Sequence, residues 1–104
     1  MGMVRLFKKM RGFVWDAANN DKNWLKHKVA NRQAEEVLLN PGNVIVNDSQ
    51  HSKQEKRYIA IGSTEKGLMF SVVFTLRTGY IRVISARPAS RKERIIYEKT
   101  VKNS

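Results

Sequence analysis

The chain has 104 residues and a mass of 12.0 kDa, a length that gives one domain with one modest core and excludes a two-domain enzyme. It contains no cysteine, which excludes disulfides, thiolate nucleophiles and cysteine-based zinc sites. Its 20 Lys and Arg oppose 9 Asp and Glu, a net charge of +11 that predicts a nucleic-acid partner, although a generally basic protein or one that binds an acidic protein would show the same excess.

The N-terminal residues 1–11 are rich in Lys and Arg and predict a basic arm ahead of a single domain over residues 12–104. The apolar triplet Phe13–Trp15 then predicts a short strand. Asp16 stands where a carboxylate caps a helix, so a first helix is expected from Ala17 to His27.

A second helix is expected from Arg32 to Leu39, with Asn31 as its cap. Three of its apolar residues recur at helical spacing and share one face: Ala34, Val37 and Leu38. The segment Asn40–Asn43 contains proline and glycine and ends this helix.

The remaining sequence has the pattern of extended chain followed by a helix. Four strands are expected, at Val44–Val46, Arg57–Gly62, Leu68–Arg77 and Tyr80–Ala86, the last two joined by a Thr78–Gly79 turn. Ser90 and Glu93 have the spacing of a capping box and begin a last helix that reaches about Lys99. The expected fold is α+β: an antiparallel β-meander packed by helices on one face, in the order βααββββα.

The hairpin at Thr78–Gly79 divides its side chains between two faces. A two-residue turn pairs Arg77 with Tyr80, Thr75 with Arg82 and Val73 with Ile84 on one face. The opposite face is apolar and is the expected core side: Phe70, Val72, Phe74, Leu76, Ile81 and Val83. Arg77, Tyr80 and Arg82 would then form an exposed patch suited to phosphates and unpaired bases, or an ordinary solvated sheet face.

Candidate catalytic residues lie at the start of the predicted third strand. Cleavage of RNA without a metal needs a base for the 2′-hydroxyl, an acid for the leaving 5′-oxygen and cations for the developing charge. His51, Glu55 and Arg57 supply these groups, and Glu55 and Arg57 point the same way in an extended chain. The alternatives are a solvated histidine and a surface ion pair.

Further basic residues have both functional and structural interpretations. Lys26 and His27 end the first predicted helix, where they either bind substrate or complement the helix dipole. Arg87 either enters the mouth of the sheet or pairs with Glu93. The two histidines lie in unrelated segments, which argues against a metal site, so no cofactor is expected. No apolar run is long enough for a bilayer span and no signal peptide is present, so a cytoplasmic location is expected.

Taken together, these segments resemble the BrnT family of bacterial toxins over about residues 13–98. The resemblance is carried by Phe13-x-Trp15-Asp16, Asn23, Lys26-His27, Asn40-Pro41, His51-Ser52, Glu55-x-Arg57-Tyr58, Ile61-Gly62, Val73-Phe74-Thr75, Arg77, Ile81-Arg82, Ile84–Arg87, Glu93 and Tyr97. Lys28, Asn31 and Leu76 depart from the family pattern, which has Gly, Phe and Glu at these positions.

The resemblance implies a RelE-like fold, RNA cleavage that arrests translation, and neutralisation by an acidic BrnA-type antitoxin. Such an antitoxin has a ribbon-helix-helix half, through which alone the pair binds operator DNA. The expected catalytic residues are His51, Glu55, Arg57, Arg77 and Arg87, and the expected substrate-binding residues are Lys26, His27, Thr75, Tyr80 and Arg82. The alternative is a basic RNA- or DNA-binding module, or an antitoxin-bound protein, without nuclease activity.

Overall fold

The computed structural model describes residues 9–15, 28–48 and 55–102. The predicted first helix over 17–27, with Lys26 and His27, lies outside these residues, as do His51 and most of the basic arm. At the described end of the arm, Met10 packs against the core, and the Arg11 N–H donates to the carbonyl of Gly79 at 2.7 Å.

The described part of the chain forms one five-stranded sheet and two helices. In chain order these are β1 (Gly12–Trp15), α1 (Asn31–Leu39), β2 (Val44–Asn47), β3 (Tyr58–Ser63), β4 (Met69–Arg77), β5 (Tyr80–Pro88) and α2 (Arg91–Lys102). The strands lie in the order β1-β5-β4-β3-β2. All five predicted strands and both described helices are therefore confirmed, with ends shifted by one to three residues. Neither described helix is both long and apolar enough to traverse a bilayer.

The sheet is mixed, so the prediction of a wholly antiparallel meander is wrong at its edge. β1 pairs with β5 in parallel, with Phe13 opposite Ile81 and Trp15 opposite Val83. Trp15 also donates its indole N–H to Glu35 of α1 at 3.0 Å. The position of β1 is thus set by long-range packing of its aromatic side chains on the core, which no local turn signal in the sequence reveals.

The core lies between α1 and one face of the sheet. Ala34, Val37 and Leu38 of α1 are fully buried, which confirms their predicted shared face. Opposite them lie buried side chains of β4 and β5: Phe70, Val72, Phe74, Ile81 and Val83. The Phe74 ring stacks on Tyr58 with centroids 5.4 Å apart. Each large side chain buried here contributes about 1.5–3 kcal/mol to the free energy of unfolding.

The backbone groups at the two ends of α1 are bonded by side chains other than that of Asn31, the predicted cap. The N-cap is Ala30 and not Asn31. The Gln33 side chain accepts the Ala30 N–H at 2.8 Å, so the reciprocal half of a capping box fixes the helix start one residue early. At the other end, the Asn43 side chain donates to the Val37 carbonyl at 2.9 Å, which supplies one of the bonds that the last helical turn lacks.

The last helix lies on the opposite side of the sheet from α1, so the prediction that the helices cover one face is wrong for α2. Ile59 and Ile61 alternate with the buried Ala60 of the core face, and they border a cleft with Ile96 of α2. The chain turns to this side directly after β5, where Glu93 bonds Arg87. We call this side of the sheet the open face.

A β-bulge in the hairpin changes which side chains share the open face. Arg77 pairs with Tyr80 and Thr75 with Arg82, as predicted, but Val73 pairs with Ser85. The expected pairing of Val73 with Ile84 is therefore wrong, because Ile84 is the extra residue of the bulge. One consequence is that Arg87, beyond the bulge, lies on the same face as Arg82.

Candidate functional site

A carboxylate on the open face bonds two guanidinium groups from the β4–β5 hairpin. Glu55 accepts a hydrogen bond from Arg77 at 3.0 Å and one from Arg82 at 3.4 Å. The Arg77 side chain is 58% exposed, whereas that of Arg82 is 23% exposed. Three residues predicted from the sequence are thus brought together, and the partners of Glu55 include arginines from other strands.

Thr75 lies at the centre of this charged group, but its hydroxyl is turned into the protein. It pairs with Arg82 across the hairpin and lies two residues before Arg77 on β4. Only 3% of Thr75 is exposed, and its hydroxyl donates to the carbonyl of Lys56 at 2.7 Å. The group predicted to bind substrate therefore already bonds the backbone between Glu55 and Arg57.

A shallow pocket lies at the turn end of the same hairpin. It has a volume of about 190 Å³ and is lined by Val14, Arg77, Thr78, Tyr80 and Arg82. The turn itself has positive φ at both central residues, 49° at Thr78 and 83° at Gly79, as a tight two-residue hairpin requires. Val14 was not predicted from the sequence, because its place opposite Arg82 depends on the parallel pairing of β1.

A larger cleft separates the open face from α2. Its volume is about 540 Å³, and its charged lining residues are Asp48, Arg57, Arg87, Lys92 and Glu93. The apolar part of its lining consists of aliphatic side chains from the sheet and from α2: Val46, Ile59, Ile61, Val73, Ile84 and Ile96. Arg57 and Arg87, both predicted from the sequence as site residues, line this cleft together.

Arg87 forms a bidentate ion pair with Glu93 in the first turn of α2. Its two terminal nitrogens lie 2.6 and 2.7 Å from the two carboxylate oxygens of Glu93. Glu93 also accepts the Ser90 N–H at 2.9 Å, and the Ser90 hydroxyl accepts the Glu93 N–H at 3.2 Å. The predicted capping box is confirmed, and of the two interpretations of Arg87 the structure supports the ion pair.

The ionisation of this pair follows from its contacts. Burial by itself would raise the pKa of Glu93, but hydrogen bonds from Arg87 and from the Ser90 N–H, together with the charge of Arg87, lower this pKa to about 2. The hydrogen bond to Glu93 in turn raises the pKa of Arg87, against the opposing effect of burial. Glu93 is therefore an anion throughout the physiological pH range.

The open face thus carries two groups of guanidinium side chains. Arg77 and Arg82 surround Glu55 near the hairpin turn, and Arg57 and Arg87 line the cleft under α2. Guanidinium forks bind phosphate oxygens in pairs, and a carboxylate among them supplies a proton acceptor. Within residues 9–15, 28–48 and 55–102, no group of His, Asp and Glu side chains is arranged to hold a metal ion. Lys26, His27 and His51, which lie outside these residues, remain predictions.

The chain is similar to known proteins both in sequence and in fold. The family model described as ribonuclease toxin, BrnT, of type II toxin-antitoxin system matches residues 15–93. The crystal structure of the Brucella abortus ribonuclease toxin BrnT is similar with a TM-score of 0.58 and 24% sequence identity, over 77% of this chain and 97% of that one. No curated protein matches the chain.

At 24% identity, the structural similarity shows a shared fold and no more. The family model matches residues 15–93, which is most of the sequence. The family match also includes both groups of arginines and Glu55. The resemblance predicted from the sequence is therefore confirmed: the chain belongs to the BrnT family of ribonuclease toxins of type II toxin–antitoxin systems.

Proposed function

We propose that this chain is a metal-independent endoribonuclease that cleaves RNA and thereby arrests translation. The observation that supports this most directly is that four arginines lie on one open face: Arg77 and Arg82 bond the carboxylate of Glu55, and Arg57 and Arg87 line the neighbouring cleft. A single-stranded RNA can lie along such a face, because its phosphates bind guanidinium groups and its bases stack on partly exposed rings such as that of Tyr80.

In the proposed reaction, the ribose 2′-oxygen attacks the adjacent phosphorus. Glu55 or His51 takes the 2′-hydroxyl proton, and the other group, or a solvent molecule, returns a proton to the leaving 5′-oxygen. The P–O5′ bond breaks, leaving a 2′,3′-cyclic phosphate and a 5′-hydroxyl. Arg57, Arg77 and Arg87 stabilise the charge on the phosphorane oxygens.

The proposed substrate-binding residues extend the site along the RNA. Tyr80 and Arg82 border the pocket at the hairpin turn, where a base beside the scissile linkage fits. Lys26 and His27 are proposed to bind the RNA backbone from outside the described residues. Thr75 belongs to the same region of the sheet, where it pairs with Arg82.

The proposed partner is a BrnA-type antitoxin, in keeping with membership of a type II toxin–antitoxin family. We expect this antitoxin to be acidic, to complement the net charge of +11, and to contact operator DNA through a ribbon-helix-helix half. The pair is expected to act in the cytoplasm, where both the RNA and the operator are found.

A nuclease assay on the purified chain, with a chelator of divalent metals present, tests the proposal. We expect strand scission by the natural sequence and a loss of about 100-fold or more in the double variant Arg57→Ala, Arg77→Ala. The matched control is Lys66→Ala, Lys99→Ala, which removes two positive charges from exposed positions outside the site. Salt-sensitive RNA binding without scission would favour the nonenzymatic alternative, and full activity in the arginine double variant would exclude the proposed site.

A further inference from the structure

The segment that carries Glu55 and Arg57 lies just outside the sheet. β3 begins at Tyr58, so residues 55–57 lack the regular ladder of backbone hydrogen bonds that orients side chains within a strand. Two of its carbonyls are bonded by other segments: the Arg57 carbonyl accepts the Asp48 N–H at 3.0 Å, and the Lys56 carbonyl accepts the Thr75 hydroxyl at 2.7 Å.

The bond to Lys56 acts on the peptide unit between the two predicted functional side chains. The Lys56 ammonium lies 5.7 Å from the centre of the Tyr58 ring, so its side chain points to the core-face side of the strand. Glu55 and Arg57, its neighbours, alternate to the open face. The orientation of the Lys56 peptide therefore sets the direction of both functional side chains.

Thr75 is well placed to fix that orientation and poorly placed to contact RNA. It is 3% exposed, and its hydroxyl proton is already used in the bond to Lys56. The bond is partly buried, and loss of the donor would leave the Lys56 carbonyl without this protein partner. Arg77 and Arg82, which bond Glu55, are its nearest neighbours on the same face.

We propose that Thr75 is a positioning residue, whose hydroxyl holds the Lys56 carbonyl. This bond orients Glu55 toward Arg77 and Arg82, and it orients Arg57 toward the cleft. This role replaces the substrate contact expected from the sequence. The inference rests on the proposed ribonuclease function, because it assigns the geometry of that site to one bond.

The variant Thr75→Val tests the hydroxyl, since valine has nearly the same shape and lacks only the donor. Thr75→Ser is the matched variant that retains the donor and removes the methyl group. We expect kcat on RNA to fall about 10- to 100-fold in Thr75→Val, because a displacement of the order of 1 Å in a catalytic group has an effect of this size. Thr75→Ser should remain within about 3-fold of the natural sequence, since the same bond is kept.

Binding is measured separately with a short all-deoxy oligonucleotide, which lacks the 2′-hydroxyl and cannot be cleaved by the proposed reaction. We expect the Kd of Thr75→Val to change less than about 3-fold, because a phosphate contact at Arg77 is retained. A Kd that rises in proportion to the loss of kcat/KM, with kcat unchanged, would mean that Thr75 contacts RNA directly and would overturn the proposal. So would a Thr75→Ser variant as defective as Thr75→Val.

Hydrogen exchange of the backbone amides at residues 55–57 provides a readout that needs no activity. We expect exchange to accelerate in Thr75→Val and to return toward the natural rate in Thr75→Ser, with the core amides of β4 unchanged in both. If the natural chain did not cleave RNA but this exchange pattern held, the proposed function would fail while the positioning contact stood. If Thr75→Val altered neither the exchange of residues 55–57 nor kcat, the positioning role would be excluded and the proposed ribonuclease function would stand.

Discussion

The ion pair between Arg87 and Glu93 predicts a specific dependence of stability on pH. Glu93→Gln removes the charge from a side chain that is 13% exposed and bonds Arg87 at both carboxylate oxygens. Glutamine still serves in a capping box, so the start of α2 at Ser90 should survive. The substitution therefore isolates the loss of the charge from the loss of the helix cap.

The magnitude follows from the pKa of Glu93, which the folded protein lowers from 4.5 to about 2. At 1.36 kcal/mol per pH unit this shift corresponds to about 3–4 kcal/mol at most. The Arg87 side chain is 38% exposed, and solvent screening reduces the expected effect to about 1–2 kcal/mol. Glu93→Gln should therefore lower the free energy of unfolding at pH 7 by that amount.

The sign of the pH dependence is fixed because the pKa of Glu93 is lower in the folded chain than in the unfolded one. Its stabilising contribution is present above about pH 4.5 and is lost as the pH falls toward about 2. Urea unfolding followed by circular dichroism at pH 7, 4 and 2.5 measures this. The difference between the natural chain and Glu93→Gln should shrink across that series.

A matched substitution on the same helix separates this contact from a general effect of charge. Glu98 is exposed on α2, and Glu98→Gln should change the free energy of unfolding by less than about 0.5 kcal/mol at every pH. Equal stability of the natural chain and Glu93→Gln at pH 7, or a difference that stays constant down to pH 2.5, would refute the reasoning.

Three further substitutions test the core, a close contact and the charged face. Phe74→Ala empties a fully buried site and should cost about 3–5 kcal/mol in urea unfolding; a cost below about 1 kcal/mol would contradict the packing described. Gly62→Ala would bring a new Cβ to 3.0 Å from the Cβ of Asn43, so we expect a loss of about 1–3 kcal/mol in the same assay. Arg77→Ala should lower the slope of log Kd against log salt for RNA binding by about 1, and Lys99→Ala should change it less if Arg77 contacts a phosphate.

The parts of the fold that local sequence patterns encode were predictable. The i, i+3, i+4 spacing of Ala34, Val37 and Leu38 predicted the buried face of α1. The capping box at Ser90 and Glu93 predicted the start of α2. These features depend on residues within a turn or two of one another, so the sequence alone determines them.

The features that depend on distant contacts were not predictable. The parallel partner of β1 lies at the far end of the sequence, and the bulge at Ile84 shows only when β4 and β5 are paired. The sequence also left open whether Arg87 enters the mouth of the sheet or pairs with Glu93, the contact that is formed where the chain turns into α2. For the site, residue chemistry indicated Glu55 and the arginines, but not the buried bond from Thr75 to Lys56.

The parallel edge of the sheet has a consequence for how the protein is made. β1 leaves the ribosome well before its partner β5, and non-local pairings of this kind form slowly. Val14, which pairs with Arg82, therefore reaches its place only after β5 has been synthesised. Until β5 is in place, the pocket at the hairpin turn lacks the wall that Val14 supplies.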